Sequence, residues 1–149
     1  MIQVREARIG DVEALQDLYM HHLTQMPPPE AQDTQKWQEL LQELIQTPRY
    51  YLLVGEVDGR VVSSVTLIII KNLTHNLRPY ALIENVVSHA DFRGRGYASA
   101  VMQRASEIAQ HHDCYKIMLM TGSKKQSTLN FYENCGFDMA EKTAFLKKL

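Results

Sequence analysis

Cysteine is the first thing this sequence has little of. Cys114 and Cys135 are the only two, they stand far apart, and they form no CxxC pair. Neither a disulfide scaffold nor a zinc site is indicated, and both read as reduced thiols. No sign of charge is in excess either. Lys and Arg number 16 against 17 Asp and Glu, for a formal net charge of -1. That balance offers no overall field toward nucleic acid or an anionic membrane, so any phosphate site has to be local. Long hydrophobic runs are missing as well. The stretch 65–70 is interrupted by Thr66 and followed by Lys71, far short of the roughly 20 residues a spanning helix needs. The amino terminus interleaves Gln3, Arg5, Glu6 and Arg8 with apolar residues, unlike the basic-then-apolar layout of a secretory signal. No membrane partner, no nucleic acid and a cytoplasmic location are the expectations. What remains is an ordinary globular composition, 45% hydrophobic and 22% charged, of a length that suits a single domain over 1–149.

Hydrophobic spacing orders the chain. Ile2, Val4 and Ala7 alternate loosely with polar residues, and Asp11 then precedes Val12, Leu15, Leu18, Tyr19 and Leu23 at helical spacing. The three prolines 27–29 end that helix and place a loop over about 26–33. Thr34 can cap a second helix with Trp37, Leu40, Leu41, Leu44 and Ile45 on one face, closed by Pro48. Residues 50–57 and 60–71 are β-branched and aromatic, with Asp58-Gly59 as a two-residue hairpin turn. A buried strand follows over 80–88, a helix over 97–111 and a strand over 115–121. A short helix over 126–133 comes next, then a closing strand over 136–149 with a break near Ala140. The expected fold class is α/β (α+β): a mixed, mostly antiparallel central sheet flanked by helices.

The segment Asp91-Phe92-Arg93-Gly94-Arg95-Gly96-Tyr97-Ala98-Ser99 lies between strand and helix. Gly94 and Gly96 let backbone N–H groups come close to a ligand, and the helix start adds unpaired donors and about half a positive charge. Arg93 and Arg95 add full charges. Two nucleotide motifs fail here: Ser99 stands where the dinucleotide fingerprint wants a third glycine, and no Gly-Lys-Ser/Thr follows for a P-loop.

Arg93-x-x-Gly96-x-Ala98 matches the R/Q-x-x-G-x-G/A signature of the GCN5-related N-acetyltransferases. Downstream, Phe131-Tyr132-x-x-x-Gly136-Phe137 resembles that family's F/L-Y-x-x-x-G-F block. The element order is similar along nearly the whole chain, and the family fold is therefore expected. The resemblance implies acetyl-coenzyme A as co-substrate, no metal, and transfer of its acetyl group to a primary amine by direct attack in a ternary complex. It implies that Val86, Val87 and Ser88 form the splayed end of the fourth strand, ending in a bulge, against the pantetheine arm. Residues Arg93, Gly94, Arg95, Gly96, Tyr97, Ala98 and Ser99 would hold the pyrophosphate, mainly through main-chain N–H groups. Tyr132 would stand by the thioester sulfur as general acid. Many members carry Asn seven residues before this tyrosine; this chain has Lys125.

The glutamate that some members place on the fifth strand has no counterpart in Met118-Leu119-Met120-Thr121, which leaves Glu84 as the candidate base. The stretch Ile83-Glu84-Asn85-Val86-Val87 resembles the matching strand of glucosamine-phosphate acetyltransferases. Ion pairing with a cation such as Arg78 is the competing reading of Glu84. His21-His22 and His111-His112 read as solvated helix ends rather than metal ligands, because helical neighbours point about 100° apart. His75 and His89 receive no role. The competing reading of the chain as a whole is a non-catalytic acyl-coenzyme A sensor or interaction module. The acceptor, a small molecule by expectation, is not written in the sequence, and oligomeric state stays open, a homodimer included.

Overall fold

The structure is a computed structural model, and it describes residues 1–23 and 32–149. The proline-rich part of the expected loop at 26–33 lies outside the described residues. Five strands form one sheet in sequence order: β1 (Gln3–Glu6), β2 (Tyr50–Val57), β3 (Arg60–Ile70), β4 (Tyr80–Ser88) and β5 (Ile117–Leu119). Neighbours from β1 to β4 run antiparallel, and β4 with β5 is parallel. This is the mixed, mostly antiparallel sheet that the residue pattern predicts. The Asp58-Gly59 turn joins β2 to β3 as expected, both residues at positive φ, which a tight primed turn requires.

Two faces of the sheet carry two cores. On one, Leu53, Val65, Leu67, Ile69, Ala81 and Ile83 meet Val101, Met102, Ala105 and Ala109 of α4 (Tyr97–His111). Gly55 makes that close approach workable, since a side chain there would collide with Ser63, Ile2 and Val101. On the other, Leu52, Val54 and Val87 pack with Val12, Leu15 and Leu18 of the first helix and Leu41 of α2 (Thr34–Gln46).

The differences from the predicted elements have physical causes. The first helix is a 3-10 turn (Ile9–Asp11), α1 (Val12–Asp17) and then a π-turn (Leu18–Leu23). The cap of α2 is Asp33, whose carboxylate accepts the Lys36 N–H at 3.2 Å, and Thr34 is the first helical residue. Of its predicted apolar face, Leu41 is buried while Leu40 and Ile45 are 54% and 39% exposed, so that face is narrower than the spacing implied. Between β3 and β4 the one-turn element α3 (Thr74–Leu77) has His75, Asn76 and Leu77 at positive φ. The fifth strand is shorter than 115–121. The closing strand expected over 136–149 does not form: the Ala140 N–H folds back onto the Asp138 carboxylate at 2.8 Å, a local turn that competes with extended pairing. Among the described residues, no helix is long and apolar enough to cross a membrane.

Candidate active site

The β4 strand is irregular at the point where the site lies. Thr66 of β3 faces Glu84, but Ser64 faces Val87, so β4 holds one residue more than β3 over this span. That is a β-bulge at Asn85–Val86, with Asn85 in the left-handed region at φ 53°. The extra residue keeps Glu84 and Val87 on the same face and turns exposed Asn85 outward. On its other edge β4 pairs with β5 only through Ala81, Leu82 and Ile83. Beyond Leu119 the two strands part, which leaves the edge of residues 84–88 without a β5 partner. Val86, Val87 and Ser88 lie along this open edge, and the bulge falls at Asn85–Val86 instead of ending the strand. Ser88 Oγ is buried and has no hydrogen-bond partner among the described residues.

After β4 the chain makes a 3-10 turn (Ala90–Phe92) and enters α4 through Gly94 and Gly96, at φ 75° and 80°. Gly96 is the N-cap, with no side-chain capping bond and no acidic residue in the first turn. None of the main-chain N–H groups of residues 94–99 donates to a main-chain or side-chain acceptor among the described residues. Tyr97 and Ala98 are half-buried and the other four exposed, so the donors stand open to an incoming group, and a Cβ built at either glycine meets open space. Unused donors, an open approach and an uncapped helix start together fit an anion. With the orphaned Ser88 hydroxyl and the open β4 edge nearby, they fit the phosphates and amide arm of coenzyme A.

Three guanidinium groups surround this loop. Arg60 and Arg95 both stack over Phe92, at 5.1 and 5.3 Å from its ring centre. Arg93 Nη2 donates to the His22 carbonyl at 3.1 Å. Arg60, from the β2–β3 hairpin, carried no signal in the sequence. It arrives because its Nη2 lies 2.9 Å from Nε2 of His89, the residue after β4. The fold also collects Asp17, His22 and His89, whose ligand atoms all lie within 4.8 Å of one another. Arg60 already places a positive charge against this cluster.

Tyr132 belongs to α5 (Gln126–Asn134), and the F-Y-x-x-x-G-F block turns out to have a structural half. The Phe137 N–H donates to the Tyr132 carbonyl at 3.1 Å and the Gly136 N–H to that of Glu133 at 2.9 Å, with Gly136 at φ 93°. This is a Schellman ending, in which glycine supplies the left-handed residue and Phe137 folds back over Tyr132. The ring of Tyr132 packs against Phe131 and Phe137. Burial, then the neighbouring Cys135 and Glu84, push its phenol above the ordinary value. Glu84 is thus near enough across the strand gap for its charge to be felt at Tyr132. Arg78 does not pair with Glu84: it bonds the Asp113 carboxylate at 3.2 Å and the carbonyls of Asp113 and Cys114. Among the described residues Glu84 has no ion-pair partner. Lys125 is the N-cap of α5 and is exposed.

His21 and His111 are exposed as expected of helix ends, whereas His112 is not free, and His75, given no role, has a partner. His112 Nε2 lies 2.6 Å from the Tyr51 hydroxyl, which ties the end of α4 to β2. His75 stacks on Tyr115 with ring centres 3.7 Å apart.

The geometry defines a mixed α/β fold with a candidate anion site at the start of α4, and comparison narrows it. Residues 13–137 match the profile of the Acetyltransferase (GNAT) family, and the chain belongs to that family of acetyl-coenzyme A-dependent N-acetyltransferases. A protein of Agrobacterium tumefaciens str. C58 assigned as an acetyltransferase superposes with a TM-score of 0.91 at 37% identity, over 99% of each chain. Glucosamine 6-phosphate N-acetyltransferase of Trypanosoma brucei brucei is 36% identical over 84 residues, 56% of this chain and 55% of that protein. The chain thus spans little more than half the length of that curated relative. The glucosamine-6-phosphate N-acetyltransferase of Arabidopsis thaliana shares the fold, with a TM-score of 0.82 at 20% identity over 100% of this chain and 98% of that one.

Proposed function

We propose that this chain transfers the acetyl group of acetyl-coenzyme A to the primary amine of a small-molecule acceptor, by direct attack within a ternary complex. The observation that carries the proposal is the row of unused N–H groups over 94–99, set at an uncapped helix start beside the open edge of β4. Acetyl-coenzyme A supplies an activated thioester. In this reading the main chain of Gly94, Arg95, Gly96, Tyr97, Ala98 and Ser99, with Arg93 alongside, holds the pyrophosphate. The open edge of Val86, Val87 and Ser88 orients the amide arm and offers N–H groups to the acetyl oxygen. Tyr132 donates its proton toward the departing sulfur. Glu84 takes a proton from the acceptor amine through a water, a useful service because deprotonating a lysine-like amine costs roughly 4–5 kcal/mol at pH 7.

Amino sugar phosphates are the acceptor class to try first, given what the relatives' names say they act on. A homodimer is the assembly proposed: β5 is an edge strand, and Phe145, Leu146 and Leu149 stand exposed in the segment after α5. The cytoplasm is the compartment proposed, in keeping with two free cysteines.

Thermal unfolding with and without acetyl-coenzyme A tests the core of this reading. A ligand at 100 times its Kd adds about 2.7 kcal/mol, on the order of 5–10 °C in Tm for a chain of this size. Gly96→Val should abolish the shift, because φ 80° suits glycine alone and a branched side chain would cover the N–H groups. Thiol release with a panel of amines, glucosamine 6-phosphate among them, should exceed the buffer rate for at least one. An unchanged Tm would overturn the cofactor assignment, and binding without release would overturn the catalytic one.

A further inference from the structure

His22 joins two parts of the molecule that are remote in sequence. Its Nδ1 accepts the main-chain N–H of Ala90 at 3.1 Å, and its carbonyl oxygen accepts Nη2 of Arg93 at 3.1 Å. Its ring lies on that of His89 with centres 4.1 Å apart, and its Nε2 faces Asp17 Oδ2 at 3.5 Å. Only 12% of the side chain is exposed. All but the Asp17 contact run to residues 89–93, the segment that leads into the anion loop.

Three residues earlier on the same π-turn, Tyr19 stands over a different part of the sheet. Its ring is 6.0 Å from that of Trp37, and its hydroxyl is turned toward Ser64 and Thr66. Thr66 is the register partner of Glu84. One turn therefore touches both the entrance of the anion loop and the sheet face that bears Glu84. π-turns are uncommon and concentrate at functional positions.

Arg93 makes this connection responsive. Here it donates to a neutral carbonyl. An anion on the N–H groups of 94–99 offers the remaining donors of Arg93 a charged acceptor while Nη2 keeps the His22 carbonyl, and charge-assisted hydrogen bonds are roughly twice as strong as neutral ones. The two states thus differ in a specific contact, as any ligand-driven shift requires. We infer that His22 is a positioning residue, coupling occupancy of the anion loop to the π-turn and hence to Tyr19 on the acceptor side. The inference rests on the assignment of residues 94–99 to the coenzyme A phosphates and gives His22 no contact with substrate.

Coenzyme A itself is the probe, and Trp37, the sole tryptophan, is the reporter. Saturating coenzyme A should change Trp37 emission and slow hydrogen–deuterium exchange in peptides covering 18–23 as well as 89–99. The effect on 18–23 should be about 5-fold or more, the lower end of ordinary coupling. His22→Ala should remove the Trp37 response and the protection of 18–23 while 94–99 stay protected. His22→Asn, whose amide can occupy the place of Nδ1, should restore both; His22→Gln, whose amide reaches the place of Nε2, should not. The contrast between Asn and Gln decides the matter even where the Ala variant does not fold. Protection of 89–99 with no change at 18–23 in the wild type, or a full response in His22→Gln, overturns the inference. No protection in any segment overturns the assignment of the cofactor site, and the coupling with it.

Discussion

From β2 to β4 the strands are paired along nearly their whole length, and Val54, Val62, Val65, Leu67 and Ala81 are closed to solvent. From β4 to β5 only three residue pairs hold, α5 has no fully buried residue, and Phe145 and Leu149 stand clear of the core. The site lies on the seam between these two regions. Fixed donors at the start of α4 need the rigid side beneath them, because α4 is held in place by Val101, Met102, Ala105 and Ala109 packed on the sheet. The coenzyme A arm proposed for this edge needs an opening, and the shortness of β5 leaves one. Stability and access are thus divided between neighbouring strands rather than traded within one.

The comparison breaks most decisively if both regions contribute alike to stability. Leu67→Ala removes a side chain with no exposure, facing α4, and should cost about 2–5 kcal/mol, or on the order of 5–15 °C in Tm. Phe145→Ala, at 92% exposure, should stay within about 0.5 kcal/mol in dilute protein. Thermal and urea unfolding of the two variants side by side supply the check. A Phe145→Ala loss that grows with protein concentration would mark the tail as a dimer contact, since assembly stabilises by mass action. Equal losses in dilute solution would erase the distinction between the two sides.

At the seam the effect should fall on turnover rather than on folding. Burial keeps the Tyr132 phenol above its ordinary value, so it stays protonated through neutral pH and can act as a hydrogen-bond donor to developing charge on sulfur. Tyr132→Phe should lower kcat by on the order of 10²-fold with little change in cofactor affinity or Tm, because the ring still packs on Phe131 and Phe137. Glu84→Gln should weaken turnover most at low pH, where the amine is protonated. Steady-state kinetics across pH on an accepted amine, paired with cofactor titration, reads both. A Phe variant with wild-type kcat would leave Tyr132 as packing only, and a Gln variant with the wild-type pH profile would do the same for Glu84.

How far the sequence could be read follows the same division. The β2–β3 hairpin, β4 and α4 were legible because each carries its own signal: the Asp58-Gly59 turn, a β-branched run, and apolar residues at helical spacing from Ala98 to Ala109. The loop proposed to take the anion stood out because its glycines and arginines are contiguous. The π-turn left no trace, because Tyr19 and Leu23 keep the four-residue spacing of an ordinary helix. Asp33 lost the cap to Thr34 on paper, although either side chain can accept the bond. The closing strand failed because its alternation breaks at Phe145-Leu146, and because pairing needs an edge that no local pattern encodes. The cluster of Arg60, His22 and His89 is assembled from three distant segments, so tertiary structure alone brings it into view.

The smallest expected effect concerns the two half-buried histidines that fasten the rigid side. His22 holds the entrance of the anion loop, and His112 holds the end of α4 to Tyr51. Burial lowers the affinity of both for a proton. At His22 the charges of His89, Arg93 and His21 add to this against the pull of Asp17, and at His112 those of Arg49 and His111 do. A base with a depressed folded-state value binds protons more readily when unfolded, so its contribution to stability is complete above the unfolded value near 6.5 and shrinks as pH falls below it. Asp11 and Asp17 are also held low, but their loss begins only below about 4, outside this window. The Tm should therefore be level from pH 8 to 7 and decline by a few degrees at most toward pH 5, given roughly 2–4 °C per kcal/mol. His22→Asn keeps the bond to Ala90 and cannot titrate, so it should flatten part of that decline. Calorimetry of the two proteins over this range gives the answer, and a Tm that rises on acidification, or a decline untouched by the substitution, would detach His22 from the stability of the rigid side.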